Sequence, residues 1–254
     1  MRALVFSLTF ILAGTAHAAP PPPDPFGSGL WPDVHAEFLG REPVVFDDRV
    51  KVVAPAFAED PMAVPVSVDA SALGAVSRVV VLVDRNPIRK VLEFFPQAAR
   101  PVLAFRFKLQ QGSPVRAAAR TADGVWHLGG TWVDGSGGGC TLPGGTRSDG
   151  SWVRTLGQVQ GRMFDHGDAS RLRVRIMHPM DTGLVSGIPA FYLDELQLRD
   201  DAGTAYMRIL TFEPVSENPV FSFDLGTRPA GSLHLQGRDN NGNLVAARID
   251  QQKP

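Results

Sequence analysis

The stretch VRAAARTADGVWHLGGTWV (residues 115–133) indicates the fold class of the first half of this chain. Two runs of small apolar, β-branched and aromatic residues flank Asp123-Gly124, a pair that tolerates the positive φ angles of a tight hairpin turn. The stretch therefore predicts two antiparallel strands joined by a short turn.

Similar short runs lie on both sides of this hairpin. Five precede it, at residues 50–56, 63–68, 77–84, 89–95 and 102–109, and seven follow it, at 158–164, 172–177, 191–198, 205–210, 220–225, 232–237 and 244–249. Asp201-Ala202-Gly203 and Asn240-Asn241-Gly242 add two hairpin signals. The pattern predicts an all-β protein of two immunoglobulin-like β-sandwich domains, preceded by one short helix between Pro32 and Gly40.

The hairpin runs into DGSGGGCTLPGG (residues 134–145), which has too few apolar side chains to fold around a core and predicts a flexible segment joining the two sandwiches. Cys140, the single cysteine among 254 residues, lies in this segment. An extended chain at about 3.3–3.6 Å per residue would carry its sulfur roughly 20 Å from Asp134. We expect a swinging arm made of Cys140 and the residues Gly137, Gly138, Gly139, Thr141, Gly144 and Gly145. An ordinary interdomain linker is the alternative interpretation of the glycines.

The first 20 residues, MRALVFSLTFILAGTAHAAP, have the pattern of an export signal: Arg2, an apolar run, and Ala16-His17-Ala18 as cleavage site. Residues 1–18 are therefore predicted to be a signal peptide, and the proline-rich residues 19–29 an extended, poorly ordered leader. The apolar run is too short to span a bilayer. With 25 basic and 26 acidic residues, neither nucleic acid nor a membrane surface is an expected partner.

An unpaired cysteine is unusual in an exported protein, because the compartment is oxidising. If exposed, Cys140 could link two chains in a disulfide dimer. No Lys, Arg or His lies in the six residues before it, which argues against a self-contained cysteine enzyme, although His127 or His178 could approach in space. A two-domain binding or structural module that does not need Cys140 is the other alternative. No motif indicates a metal or cofactor.

Six stretches of the chain resemble the two subunits of one known carrier. VPVSVDA (64–70), NPIRKVLEF (86–94) and GGGC (137–140) resemble SoxY, whereas HPMDTG (178–183), ENPVFSFDL (217–225) and GRDNNGN (237–243) resemble SoxZ. The chain thus resembles the SoxYZ carrier of bacterial sulfur oxidation, fused as a SoxY-like sandwich (30–136), a carrier arm and linker (137–156) and a SoxZ-like sandwich (157–254).

The resemblance implies a periplasmic, non-enzymatic carrier in which Cys140 bears sulfur intermediates as a persulfide or thiosulfonate. Implied partners are enzymes of the SoxAX, SoxB and SoxCD type, or a quinoprotein dehydrogenase system with a different cargo. The SoxY-like and SoxZ-like halves are expected to pack on each other, with His178 as a structural or interface residue. In SoxY the cysteine belongs to a GGCGG terminus, but here Thr141, Leu142 and Pro143 follow it. The arm is therefore expected to be a loop tethered at both ends.

Overall fold

Alternating buried and exposed side chains explain why much of the described chain forms strands. Residues 64–69 are an example, because Val64, Val66 and Val68 are buried whereas Pro65 and Asp69 point to solvent. The computed structural model describes residues 20–40, 42–166, 169–229 and 231–250. The predicted signal peptide, residues 1–18, lies outside the described residues.

One α-helix, sixteen strands and three short 3₁₀ helices (Ser71–Leu73, Gly145–Arg147 and Ser151–Arg154) are found in the described residues. The α-helix and the strands are labelled in chain order. They are α1 (Trp31–Phe38), β1 (Val44–Phe46), β2 (Lys51–Val53), β3 (Phe57–Ala58), β4 (Val64–Asp69), β5 (Val76–Val83), β6 (Lys90–Phe95), β7 (Val102–Phe107), β8 (Ser113–Thr121), β9 (Trp126–Gly135), β10 (Val159–His166), β11 (Ala169–Ile176), β12 (Leu193–Asp200), β13 (Ala205–Thr211), β14 (Val220–Asp224), β15 (Leu233–Asp239) and β16 (Leu244–Ile249). None of the described helices is long and apolar enough to cross a bilayer.

These strands form two sheets that face each other. The larger sheet has the order β1-β9-β8-β5-β6-β13-β12-β15-β16, with β3 also paired to β9, and the smaller has the order β10-β11-β14-β7-β4-β2. The two sheets enclose one continuous apolar core. The all-β, immunoglobulin-like sandwich class predicted from the sequence is confirmed.

Both sheets continue from the N-terminal half (β1–β9) into the C-terminal half (β10–β16). In the larger sheet β6 pairs with β13, where Phe94 lies opposite Ile209, and in the smaller sheet β7 pairs with β14. The rings of Phe94 and Phe223 stack between the sheets at this junction, with centroids 5.9 Å apart. The halves therefore lie side by side and share their hydrogen-bonded sheets.

The predicted strands and turns agree closely with this structure. Each of the fourteen predicted runs overlaps a strand, and the three predicted hairpins connect β8 to β9, β12 to β13 and β15 to β16. The predicted helix is α1, with Pro32 in its first turn. Strands β1 and β3 were not predicted, because strands of three and two residues are too short to show alternation.

The leader is not the poorly ordered spacer that its composition predicts, at least over the described residues 20–29. Asp24 forms an ion pair of 2.8 Å with Arg116, whose side chain is fully buried on β8 and also pairs with Asp84. Burial alone would raise the pKa of Asp24, but the bonds from Arg116 and from backbone N–H groups lower it. A buried guanidinium needs such carboxylates, and this requirement holds the leader against the sheet.

Candidate functional site

The glycine-rich segment after β9 is folded against the residues that follow β7. The N–H groups of Gly138 and Gly139 donate hydrogen bonds of 3.0 Å to the carbonyl oxygens of Gln110 and Leu109. The next residue, Cys140, is 0% exposed. The expected position of the thiol, roughly 20 Å from the sandwich, is therefore wrong for this structure, because the glycine backbone pairs with the chain that leaves β7.

The glycines permit a close approach between two chain segments. A Cβ on Gly139 would lie 2.1 Å from the carbonyl oxygen of Pro61 and 2.7 Å from that of Leu109. Gly137 has a φ of +85°, and a Cβ there would lie 2.5 Å from the carbonyl oxygen of Gln110. Glycine is thus required here to bring Cys140 into its buried position.

Cys140 is held by polar contacts from both halves. Its N–H donates to Oε1 of Gln110 at 3.1 Å, and its thiol lies 3.6 Å from the carbonyl oxygen of Lys108. From the C-terminal half, Oγ1 of Thr182 donates to the carbonyl oxygen of Cys140 at 2.6 Å. The cysteine therefore lies at the junction of the two halves.

Lys108 places a buried ammonium group near this thiol. The residue is 3% exposed, and its Nζ donates to the carbonyl oxygen of Met180. Burial raises the pKa of Cys140 to about 11, an effect that the charge of Lys108 opposes. Burial also lowers the pKa of Lys108 itself. At neutral pH the enclosed thiol is protonated, and the thiolate is the reactive form of cysteine.

The HPMDTG segment of the C-terminal half, residues 178–183, covers the cysteine. Met180 has a φ of +52°, and its N–H donates to Nδ1 of His178 at 3.1 Å. Asp181 and Phe191 form a backbone bridge beside it. This compact turn brings the carbonyl group of Met180 to Lys108 and the hydroxyl group of Thr182 to the cysteine loop.

His178 supports the turn and has no described contact with the sulfur. It is 1% exposed, and its ring packs on Phe191 with centroids 4.4 Å apart. Burial lowers its pKa to about 4, although Asp239, 3.5 Å from Nε2, opposes this effect. The ring is therefore neutral near pH 7. His127, the other candidate base, hydrogen-bonds to Asp47.

The chain after Cys140 is attached to the C-terminal half before it reaches β10. The N–H of Thr146 donates to Glu217 at 2.9 Å, and Nε of Arg147 donates to Asp181 at 2.6 Å. The guanidinium group of Arg147 also stacks on Trp152 at 4.5 Å. The expected tethering of the segment at both ends is thus seen, with its second anchor at residues 146–147.

Asn86 positions the residues on the other side of the cysteine. Its side-chain amide donates to the carbonyl oxygen of Lys108 at 2.7 Å and accepts from the N–H of Gln110 at 2.8 Å. Asn86 begins the NPIRKVLEF stretch, and Glu217 begins ENPVFSFDL. Together with HPMDTG and with Asp239 of GRDNNGN, these stretches meet around one loop.

The predicted site residues fall into two groups in the structure. Residues 137–141 lie at the end of β7, where Thr141 contacts the Gln110 side chain at 3.3 Å. Gly144 and Gly145 instead lie beside Glu217. Five surrounding polar residues were not predicted as site residues: Asn86, Lys108, Gln110, Thr182 and Glu217. Asn86, Thr182 and Glu217 belong to the stretches that resemble SoxY or SoxZ, so those stretches could have pointed to them.

Family models match both halves of the chain. The family model for sulfur oxidation protein SoxY matches residues 35–140, and that for sulphur oxidation protein SoxZ matches residues 162–250. No curated protein matches the chain.

Two solved structures are similar to parts of the fold. The sulfur carrier protein SoxY from Chlorobium limicola f. thiosulfatophilum is 19% identical, with 42% of this chain and 97% of that chain covered and a TM-score of 0.38. A β-glycosidase from Bacteroides vulgatus is 12% identical, with 85% of this chain and 26% of that chain covered and a TM-score of 0.25.

The two family models match successive, separate regions that together make up most of the chain. The SoxY match ends at Cys140, and the SoxZ match begins within β10. The cysteine loop thus lies where the two matched regions join. The chain therefore holds a domain of the sulfur oxidation protein SoxY family followed by a domain of the SoxZ family.

Proposed function

We propose that this protein is a periplasmic carrier that holds sulfur intermediates covalently on Cys140 while partner enzymes act on them. The observation that carries the proposal is the position of the single cysteine. It is the last residue of the SoxY match, in a loop that both halves hold. The export pattern that ends at Ala16-His17-Ala18 supports the location.

Loading requires the loop to open. In the closed loop the thiol is buried and its pKa is about 11, so it is neither accessible nor ionised at neutral pH. Opening breaks the polar contacts to Gln110 and Thr182 and leaves the anchor at Thr146 in place. The freed thiol then regains its ordinary pKa of 9.0.

The loading chemistry needs a partner. Joining the Cys140 thiolate to the sulfane sulfur of thiosulfate forms one S–S bond and releases two electrons. A redox enzyme of the SoxAX type is the expected acceptor, and SoxB- and SoxCD-type enzymes are the expected users of the product. A quinoprotein dehydrogenase system with another cargo is the alternative context. The described hydrogen bonds of His178 go to Met180 and Asn218 and none to the thiol, which supports a carrier rather than an enzyme.

The test is the intact mass of the protein taken from its native host without reductant and again after reduction. A reducible adduct with the mass of a sulfane or sulfur-oxyanion group, absent from Cys140→Ser, is expected. A reducible adduct of another mass would indicate a carrier with a different cargo. A bare thiol under every growth condition, with a normal host phenotype for Cys140→Ser, would instead favour a two-domain binding module. A disulfide dimer through Cys140 would also require the loop to open.

A further inference from the structure

Strand β11 places three arginines on one face of the smaller sheet. In its sequence ASRLRVRI, Leu172, Val174 and Ile176 are buried in the core, so the alternating arginines at 171, 173 and 175 point outward. Arg173 and Arg175 are exposed. Arg171 lies opposite Asp224 on β14, so a carboxylate is close to it. A cluster of basic side chains was not predicted from the sequence, because the arginines alternate with apolar residues and share one face only when the segment forms a strand.

Two neighbouring strands extend this positive surface. Arg162 on β10 lies directly opposite Arg173, and Arg106 on β7 is exposed on the same face. We call Arg106, Arg162, Arg173 and Arg175 the arginine face. Within the described residues none of the four has a carboxylate within 4 Å, whereas Arg208 and Arg238 on the larger sheet are paired with acidic side chains. Positive charge is therefore concentrated here in a chain of net charge −1.

The arginine face also contains apolar grooves. One of about 400 Å³ is lined by Arg162, Phe164, Arg173, Arg175 and Val220. A second, of about 550 Å³, continues from Arg173 and Val220 to Val53, Pro55, Pro65 and Arg106. Arginines around an apolar and aromatic floor are the composition enriched in protein–protein interfaces.

The sheet topology places this face next to the cysteine loop. Strands β7 and β11 both run antiparallel to β14, so they are parallel to each other and end at the same edge of the sheet. Arg106 lies two residues before Lys108, and Arg175 three residues before His178. A small pocket at that edge is lined by Arg175, Met177 and Asn218. The Asn218 side chain donates to Oγ1 of Thr146, in the second anchor of the loop, at 2.8 Å.

The extent of the face favours a protein over a small anion. Neighbouring strands are about 4.8 Å apart, and the face crosses four of them, so an inorganic oxyanion could contact only part of it. We infer that the arginine face docks an acidic surface of the protein that exchanges cargo with Cys140. This inference rests on the proposed carrier function. Charge complementarity of this kind mainly accelerates association and fixes orientation.

The test compares two double charge reversals in the native host. Arg173→Glu/Arg175→Glu alters the arginine face. Arg199→Glu/Arg248→Glu is the control. Arg199 and Arg248 lie on either side of His234 in the larger sheet, each paired with it, and reversing them gives the same change in net charge. We expect the fraction of chains with an adduct on Cys140, measured by intact mass, to fall at least about tenfold in the first variant only.

Two further measurements complete the test. The alkylation rate of purified, reduced protein by iodoacetamide should be equal in both variants and the wild type, which shows that the cysteine loop is intact. A photo-crosslinking residue in place of Phe164 should capture a protein through an acidic segment, and the charge reversal of the face should abolish this crosslink.

The outcomes separate the inference from the proposed function. A wild-type chain with no adduct under any condition would refute the carrier. An adduct that is equally abundant in wild type and Arg173→Glu/Arg175→Glu would refute only the docking inference. Crosslinks to nucleic acid, or saturable binding of sulfate or thiosulfate to the face with no protein crosslink, would also overturn it.

Discussion

Removing the hydroxyl group that holds Cys140 should open the loop and make the thiol reactive. Thr182→Val deletes the donor that lies 2.6 Å from the carbonyl oxygen of Cys140, and leaves that oxygen without its partner in the closed state. An unsatisfied buried polar group costs about 1–3 kcal/mol. At about 1.4 kcal/mol per factor of ten, the open population should rise about 5- to 150-fold.

The assay is the rate of iodoacetamide alkylation of reduced, adduct-free protein. Because the closed thiol has a pKa of about 11 and is buried, essentially all reaction passes through the open loop, and the rate should rise in proportion to its population. Thr182→Ser keeps a donor and should react like the wild type. Thr121→Val removes a hydroxyl group at the opposite end of the β8–β9 hairpin and should also leave the rate unchanged.

The stability of the closed loop should decrease as the pH rises through the range in which the thiol ionises. The thiol pKa is raised from 9.0 to about 11 in the closed loop, so the closed state binds the proton more tightly than the open one. The closed state therefore loses stability as pH rises from about 9 to about 11.

An alkylation rate for Thr182→Val within twofold of the wild type, or a wild-type rate equal to that of free glutathione, would refute this account of the closed loop.

Three other predictions concern the residues that shape the site and the leader. Gly139→Ala should expose the thiol to iodoacetamide, because its Cβ would overlap two carbonyl groups, whereas Gly145→Ala has space and should react like wild type; equal rates for the two would contradict this. Since the pKa of His178 is lowered from 6.5 to about 4, the unfolding free energy in urea should fall by up to about 3 kcal/mol as pH drops across that range, and His178→Asn should flatten the dependence. Asp24→Ala removes one carboxylate from buried Arg116 and should lower Tm in calorimetry by about 2–4 °C for each kcal/mol lost; an unchanged Tm would mean that the leader does not stabilise the sheet.

The strands could be predicted from sequence because their signal is local. In β4 and β11 the apolar residues alternate with polar ones, and Asp-Gly or Asn-Gly pairs mark the turns. The surroundings of Cys140 could not be predicted in this way. Lys108 is 32 residues away in sequence and Thr182 is 42 residues away. The folding of the N-terminal half brings Lys108 to the thiol, and the pairing of sheets between the halves brings Thr182 there.

Composition was also ambiguous in the glycine-rich segment and the leader, the two segments for which the predicted conformation was wrong. Glycine-rich residues 137–139 permit an extended arm, but they equally permit the close approach to Pro61 and Leu109 that the structure has. The proline-rich leader has few apolar side chains, and its attachment depends on the buried charge of Arg116 far along the chain. In both segments a distant partner decides between two conformations that the local sequence allows.

The two-sided attachment of the loop limits the kind of partner site that Cys140 can enter. The N–H of Asp134 is bonded to Ala56 at one end, and Thr146 is bonded to Glu217 at the other, so the mobile part is about ten residues long. With five residues on each side of Cys140, a projecting loop reaches about 15 Å at most once it bends at its tip. It also presents two chain segments side by side, including Leu142 and Pro143. A channel that fits a single glycine-rich terminus would exclude this loop, so the partner of the proposed carrier needs an open cleft.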